Sequence, residues 1–147
     1  MTDAKRELLE KDDLGWTDLR SLIDGLTPAQ LEERGYQEDW SVKDLMAHIG
    51  CWFAEAAVML ERMRMGTYAR EPIDEDDLNR QWFETWRDKD LPTVKTELMA
   101  ARARMLEEWD RLPDADEDAR RWFYESTAEH YEDHIPRLRE WVAELRG

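Results

Sequence analysis

One cysteine and three histidines are all this chain of 147 residues has of the two side-chain types most often found on transition metals. Cys51 cannot form an internal disulfide, which agrees with a reducing compartment. No uninterrupted apolar stretch approaches the roughly eighteen residues of a spanning helix, and Met1 to Glu7 leads into a charged run without the apolar centre of a signal peptide. The expected location is the cytoplasm. Positive charge is also scarce: 21 Lys and Arg stand against 36 Asp and Glu, a net charge of −15. Such a surface repels phosphates, so nucleic acid is an unsuitable partner, and docking to an anionic membrane is disfavoured for the same reason. No internal repeat, linker or low-complexity tract interrupts the chain, and its length suits one domain spanning 1–147.

Convincing period-2 alternation is absent as well, whereas an apolar period near 3.6 runs through almost the whole chain, which predicts an all-α fold. Leu8, Trp16, Leu19, Leu22, Ile23 and Leu26 form one face of a first helix, with Gly15 tolerated inside it at a cost of about 1 kcal/mol. Thr27-Pro28-Ala29-Gln30 has the form of a capping box, predicting a short turn that stops at Gly35. Ser41 then caps a long helix with Asp44 in its first turn and a stripe of Leu45, His48, Ile49, Trp52, Phe53, Ala56, Met59, Leu60 and Met63, ending near Gly66. Thr67 to Ile73 reads as a loop, and Asp74 caps a helix carrying Leu78, Trp82, Phe83 and Trp86. A break from Asp88 to Pro92 precedes a helix that ends at Leu112-Pro113-Asp114. The last helix carries Phe123, Thr127, His130, His134, Leu138, Trp141 and Leu145, with a kink expected at Pro136, just past the second histidine. Four long helices with short connectors predict a four-helix bundle, an architecture that places metal sites on facing core positions.

His130 and His134 are four residues apart, so on a helix they lie about 40° apart around the axis and about 6 Å along it. His48 falls on the apolar stripe of another helix, which aims all three rings inward. One reading is that the three hold a divalent transition ion with further positions open, as in catalytic zinc sites; imidazole suits nickel, copper and iron equally. The other is that each is a hydrogen-bonded core residue. Burying three titratable rings together costs free energy that a shared ion removes.

The stretch Trp40-Ser41-Val42-Lys43-Asp44-Leu45-Met46-Ala47-His48-Ile49, followed by Trp52, resembles the hallmark of the DinB-like superfamily of bacterial four-helix-bundle proteins. That superfamily includes YfiT-like metal-dependent hydrolases and the mycothiol-dependent maleylpyruvate isomerase N-terminal domain. Ile73-Asp74 to Leu78-Asn79 and the closing His130-Tyr131-Glu132-Asp133-His134 are similar to its later landmarks, so the match covers nearly the whole chain in order. The resemblance implies an up-down-down-up bundle, a homodimer, and a divalent ion, zinc or nickel, on a histidine triad mapping to His48, His130 and His134. It further implies a metal-dependent S-transferase using a low-molecular-weight thiol such as mycothiol or bacillithiol, or a related detoxifying activity as in the ClbS/DfsB-like branch. Nothing in the residues chooses between activation of sulfur and activation of water for hydrolysis. A bundle that binds or sequesters a small molecule without turnover, and a purely structural dimer, stay open beside these.

Other residues have a functional and a plainer reading. Glu129 and Asp133 flank the histidines and are candidates to orient an imidazole or move a proton, or are solvated surface. Tyr131 and Tyr124 are candidate pocket residues. Cys51 lies one turn from His48 but some 60° off its direction, as a small buried side chain would. Trp52, Trp109 and Trp141 lie on core stripes, with some indoles available to wall a pocket, and Trp40 reads as a hydrophobic staple. The acidic run Asp74 to Asp77 lacks the glycine and spacing of a calcium loop and reads as capping.

Overall fold

Side-chain caps set the helix starts. In the computed structural model, which describes residues 2–147, Thr2 opens α1 (Asp3–Asp24), Thr27 the short α2 (Pro28–Glu32) and Ser41 the long α3 (Val42–Met65). Asp74 opens α4 (Glu75–Trp86), Asp90 opens α5 (Leu91–Arg111) and Asp116 opens α6 (Glu117–Ser126). In each case the cap oxygen accepts an N–H of the first turn that has no partner within the helix. Thr27 and Ser41 form full capping boxes with Gln30 and Asp44. Gly66, at φ 75°, ends α3 in the left-handed conformation that glycine adopts without steric cost.

The fold is all-α, with no strand among the described residues, but it is cut into seven helical segments and is not a strict four-helix bundle; the short α2 and the α4 segment stand where the sequence pattern put them, and the division of the last helix is the departure. Short α2 and α4 lie between the long helices, and the last helix is divided. The division is not at Pro136, which sits inside an uninterrupted α7 (Ala128–Arg146). It falls upstream of both histidines, at Thr127, whose backbone leaves the helical region (φ −117°, ψ −100°) while its hydroxyl donates to the Phe123 carbonyl at 2.6 Å. A threonine hydroxyl bonded back to the i−4 carbonyl competes with the main-chain ladder and bends helices.

The core is one cluster centred on α3, whose Leu45, Ile49, Phe53, Ala56 and Leu60 are fully buried. Each leucine or phenylalanine so placed contributes roughly 1.5–3 kcal/mol of burial. α3 packs most extensively on α5 and also meets α4 and α6; α1 lies against α7. Two glycines permit close approach. A Cβ on Gly50 would lie 3.3 Å from the Cα of Leu98 in α5, and one on Gly15 would overlap the ring of Tyr131 in α7. Gly15 is therefore demanded by packing, not merely tolerated.

Two buried polar devices join the helices. Asp12 of α1, fully buried, takes a bidentate pair from Arg102 of α5 at 2.9 and 2.7 Å, while the Tyr131 hydroxyl donates to the same carboxylate at 2.7 Å and accepts from Arg102 at 3.0 Å. Lys5 reaches across from α1 to donate to the Leu112 carbonyl at 2.6 Å, closing the C-terminus of α5.

Candidate metal centre

His48 on α3 and His130 and His134 on α7 converge on one another. Their ring centroids lie 4.8, 5.1 and 4.8 Å apart, the Nε2 atoms of His48 and His130 are 2.9 Å apart, and one nitrogen of each ring lies within 4.8 Å of the others. Two nitrogens that share an ion tetrahedrally at about 2.1 Å each stand about 3.4 Å apart, so this donor set fits a transition metal once the ring farthest from the others moves in by about an ångström. The cluster can coordinate a metal ion.

The electrostatics favour the protonation state that ligation needs. Burial, followed by repulsion from His134, pushes His48 down to about 3. Burial and the two neighbouring rings hold His130 well below the usual histidine range, and burial lowers His134 against the opposing charge of Asp133. All three are neutral imidazoles at neutral pH. Nδ1 of His48 is buried with no hydrogen-bond partner among the described residues, as are the indole nitrogens of Trp109 and Trp141, an arrangement that costs about 1–3 kcal/mol.

Tyr36 is the residue sequence reasoning missed. It lies in the loop between α2 and α3, fully buried, with its Oη 3.0 Å from Nδ1 of His134. Burial raises its pKa to about 12 despite Arg137, so it stays a phenol. Arg137 of α7 donates to the carbonyls of Gly35 and Tyr36 and thereby ties this loop to the histidine helix. Gly35, at φ 120°, makes the turn that aims Tyr36 inward, and a Gly-Tyr pair just before Trp40-Ser41 was the available signal.

The histidines form the inner end of an open cleft of about 1090 Å³ between α3, α4, α6, α7 and the 67–74 loop. Trp40, edge-on to His48 at 5.2 Å and stacked on Phe83 at 5.4 Å, forms one wall. Trp52 forms the other: its indole donates to Asn79 Oδ1 at 2.8 Å and meets Trp82 and Trp122 at 4.9 and 6.5 Å. Trp52 is thus a cleft residue rather than core, and Asn79 fixes its plane. Glu129 and Asp133 both line the cleft, and neither hydrogen-bonds a histidine ring. Burial and the charges of Glu125, Asp133, Glu132 and Glu75 raise the pKa of Glu129.

Three expected candidates lie elsewhere. Tyr131 is buried in the Asp12–Arg102 network on the other face of α7, because residues adjacent in a helix point about 100° apart. Tyr124 and Cys51 do not line the cleft, and burial together with Glu55 and Glu97 pushes the Cys51 thiol up to about 12, an unreactive state. Trp109 is fully buried, stacked on Phe123 at 4.2 Å, and Trp141 packs over the core edge beside Gly35.

Residues 13–144 match the family described as the mycothiol maleylpyruvate isomerase N-terminal domain. No curated protein matches the chain. The solved structure of an uncharacterised protein from Escherichia coli UTI89 is similar, with a TM-score of 0.82 and 17% identity over 97% of this chain and 94% of that one. At that identity the likeness shows the fold alone.

Proposed function

Because this chain belongs to the mycothiol maleylpyruvate isomerase N-terminal domain family, within the DinB-like superfamily, we propose that it is a metal-dependent thiol S-transferase or related detoxifying enzyme. In this reading His48, His130 and His134 hold a divalent transition metal, zinc or nickel. The observation that carries it is the convergence of three neutral imidazoles at the inner end of an open cleft. A closed structural site has four protein ligands, whereas three leave room for a small molecule. When bound, such an ion supplies a Lewis-acidic centre that lowers the pKa of a thiol, making thiolate available near neutral pH.

The chain's own residues do the rest. With Nε2 of His134 turned to the ion, its Nδ1–H donates to Tyr36 Oη, which fixes the ring as outer hydrogen bonds do in metal sites. Trp40, Trp52 and Trp122 shield the reacting end from water and offer flat apolar faces to an electrophile. Glu129 and Asp133 stand beside the ligands as acceptors for the thiol proton. We take the chain to act as one domain with an up-down-down-up bundle, in the cytoplasm and as a homodimer, on small molecules. Among the described residues no helix is long and apolar enough to cross a membrane.

The test is elemental mass spectrometry on protein purified without a histidine tag or chelator, beside His134→Ala. Near-stoichiometric zinc or nickel, lost in the variant, is expected, followed by thiol consumption with a panel of electrophiles. Equal metal in both proteins would remove the site. Tight metal with ester hydrolysis and no thiol chemistry would assign water as the nucleophile instead.

A further inference from the structure

Buried side chains that carry a hydrogen-bonding group are almost always paired, so one that is not calls for an explanation. Ser126, the last residue of α6, is only 4% exposed, and its hydroxyl bonds no other described residue. Every other buried polar or charged side chain among the described residues is engaged. Asp12, Arg102 and Glu108 sit in ion pairs, Lys5 and Lys43 donate to carbonyls, Ser41 bonds Asp44, and His130 meets His48. Thr127, next in sequence, returns its hydroxyl to the Phe123 carbonyl. Ser126 is the exception, and it lines the cleft. Nor is its hydroxyl sealed off: the fully enclosed side-chain atoms without a partner are His48 Nδ1 and the indole nitrogens of Trp109 and Trp141, so the little surface that Ser126 keeps includes Oγ and opens on the cleft.

Ser126 follows Trp122 by four residues and precedes His130 by four, so the three share one helical face at steps of about 6 Å along the axis. The break at Thr127 leaves that face intact, because Trp122, Ser126, His130 and His134 all line the cleft. A ligand that lies against the Trp122 indole and reaches toward His130 passes the hydroxyl. The neighbouring charges limit what that ligand presents there. Glu125 and Glu129, one residue before Ser126 and three after it, line the same cleft, and Arg121, the guanidinium that α6 contributes, is bonded to Asp118. Two carboxylates repel an anion at this point but leave a neutral oxygen undisturbed.

Resting on the reading that this cleft is the substrate site, we propose that Ser126 is a substrate-binding residue and that the substrate is a neutral carbonyl compound. Its carbonyl oxygen accepts the Ser126 O–H, its apolar part lies against the indoles of Trp122 and Trp52, and its reacting carbon is directed toward the histidines. A nearly buried hydroxyl already stripped of competing partners is well suited to this, since a ligand oxygen completes its hydrogen bonding without displacing one made within the protein. A carboxylate in the same position would face Glu125 and Glu129.

The test is calorimetric titration of the purified protein and of Ser126→Ala with benzylacetone, a ketone without an activated double bond, beside butylbenzene and phenylbutyrate as its oxygen-free and anionic counterparts. The substitution is expected to weaken ketone binding about three- to tenfold, the size of one hydrogen bond, and to leave butylbenzene unaffected. Phenylbutyrate should bind both proteins more weakly than the ketone does. In infrared difference spectra the carbonyl band of bound benzylacetone should lie below its position in an apolar solvent and return toward it in Ser126→Ala. Alanine suits a helix, and if the variant nonetheless failed to fold, the band in the unsubstituted protein would decide: a lowered band upholds the proposal and an unshifted one overturns it. The titrations are repeated in the His134→Ala background. Ketone binding that depends on Ser126 in a protein that holds no metal upholds this proposal while removing the metal-thiol reading. Metal and thiol activity with equal ketone affinity in the presence and absence of the hydroxyl overturns the proposal alone. Tighter binding of phenylbutyrate than of benzylacetone, or no ketone binding at millimolar concentration, also overturns it.

Discussion

At the scale of single residues, Tyr36 and the three imidazoles decide what the site can do. Removing the phenol oxygen in Tyr36→Phe leaves the buried ring but frees His134 Nδ1. We expect metal affinity to fall 10- to 100-fold with the circular-dichroism spectrum unchanged, as for other outer-shell partners. Competition with a chromogenic chelator measures this, and unchanged affinity would make Tyr36 a packing residue only. The imidazoles also fix the acid response of the metal-free protein. The unfolded chain takes up protons at the ordinary histidine value of 6.5, whereas folded His48 resists them down to about 3. Protons therefore favour the unfolded state. For His48 the stabilisation is complete above pH 6.5 and is lost progressively toward pH 3, at up to about 1.4 kcal/mol per pH unit. Urea titrations of apoprotein at stepped pH, compared with a His48→Gln variant, measure the slope; equal slopes would mean that His48 is not held neutral by the fold.

At the scale of elements, the caps Thr27, Ser41 and Asp74 of α2, α3 and α4 follow the sequence pattern closely, because capping is a local competition for the first-turn N–H groups. Ser41→Ala should cost about 1 kcal/mol and loosen the start of the helix that carries His48. Gly15→Ala separates local from tertiary effects. Helix propensity alone promises a gain of about 1 kcal/mol. The added methyl would overlap Tyr131, and forcing extra carbon into a packed contact costs about 1–3 kcal/mol, so a net loss in thermal unfolding is expected. A gain would show that α1 and α7 can part freely. The division of the last helix escaped the sequence reading for a related reason: Pro136 is a conspicuous breaker, while Thr127 disrupts the ladder only through the particular bond its hydroxyl makes.

At the scale of the whole molecule, the Asp12–Arg102–Tyr131 network links α1, α5 and α7 and sets where the histidine helix lies. Arg102→Met leaves Asp12 charged and buried without its partner, and a loss of about 3–5 kcal/mol is expected in urea unfolding, with metal binding weakened in parallel. Loss of stability with full metal affinity would show that α7 keeps its position without this network.

The sequence by itself determined the all-α class, the caps at Thr27, Ser41 and Asp74, and the three imidazoles that share a centre, since each follows from helical periodicity and short-range chemistry. Only the tertiary structure decided that Tyr36 supports His134 from a loop and that Tyr131 serves the buried ion pair instead of the cleft. Those outcomes depend on which helix faces which, and partners separated by 98 and 119 residues leave no periodic trace in the chain.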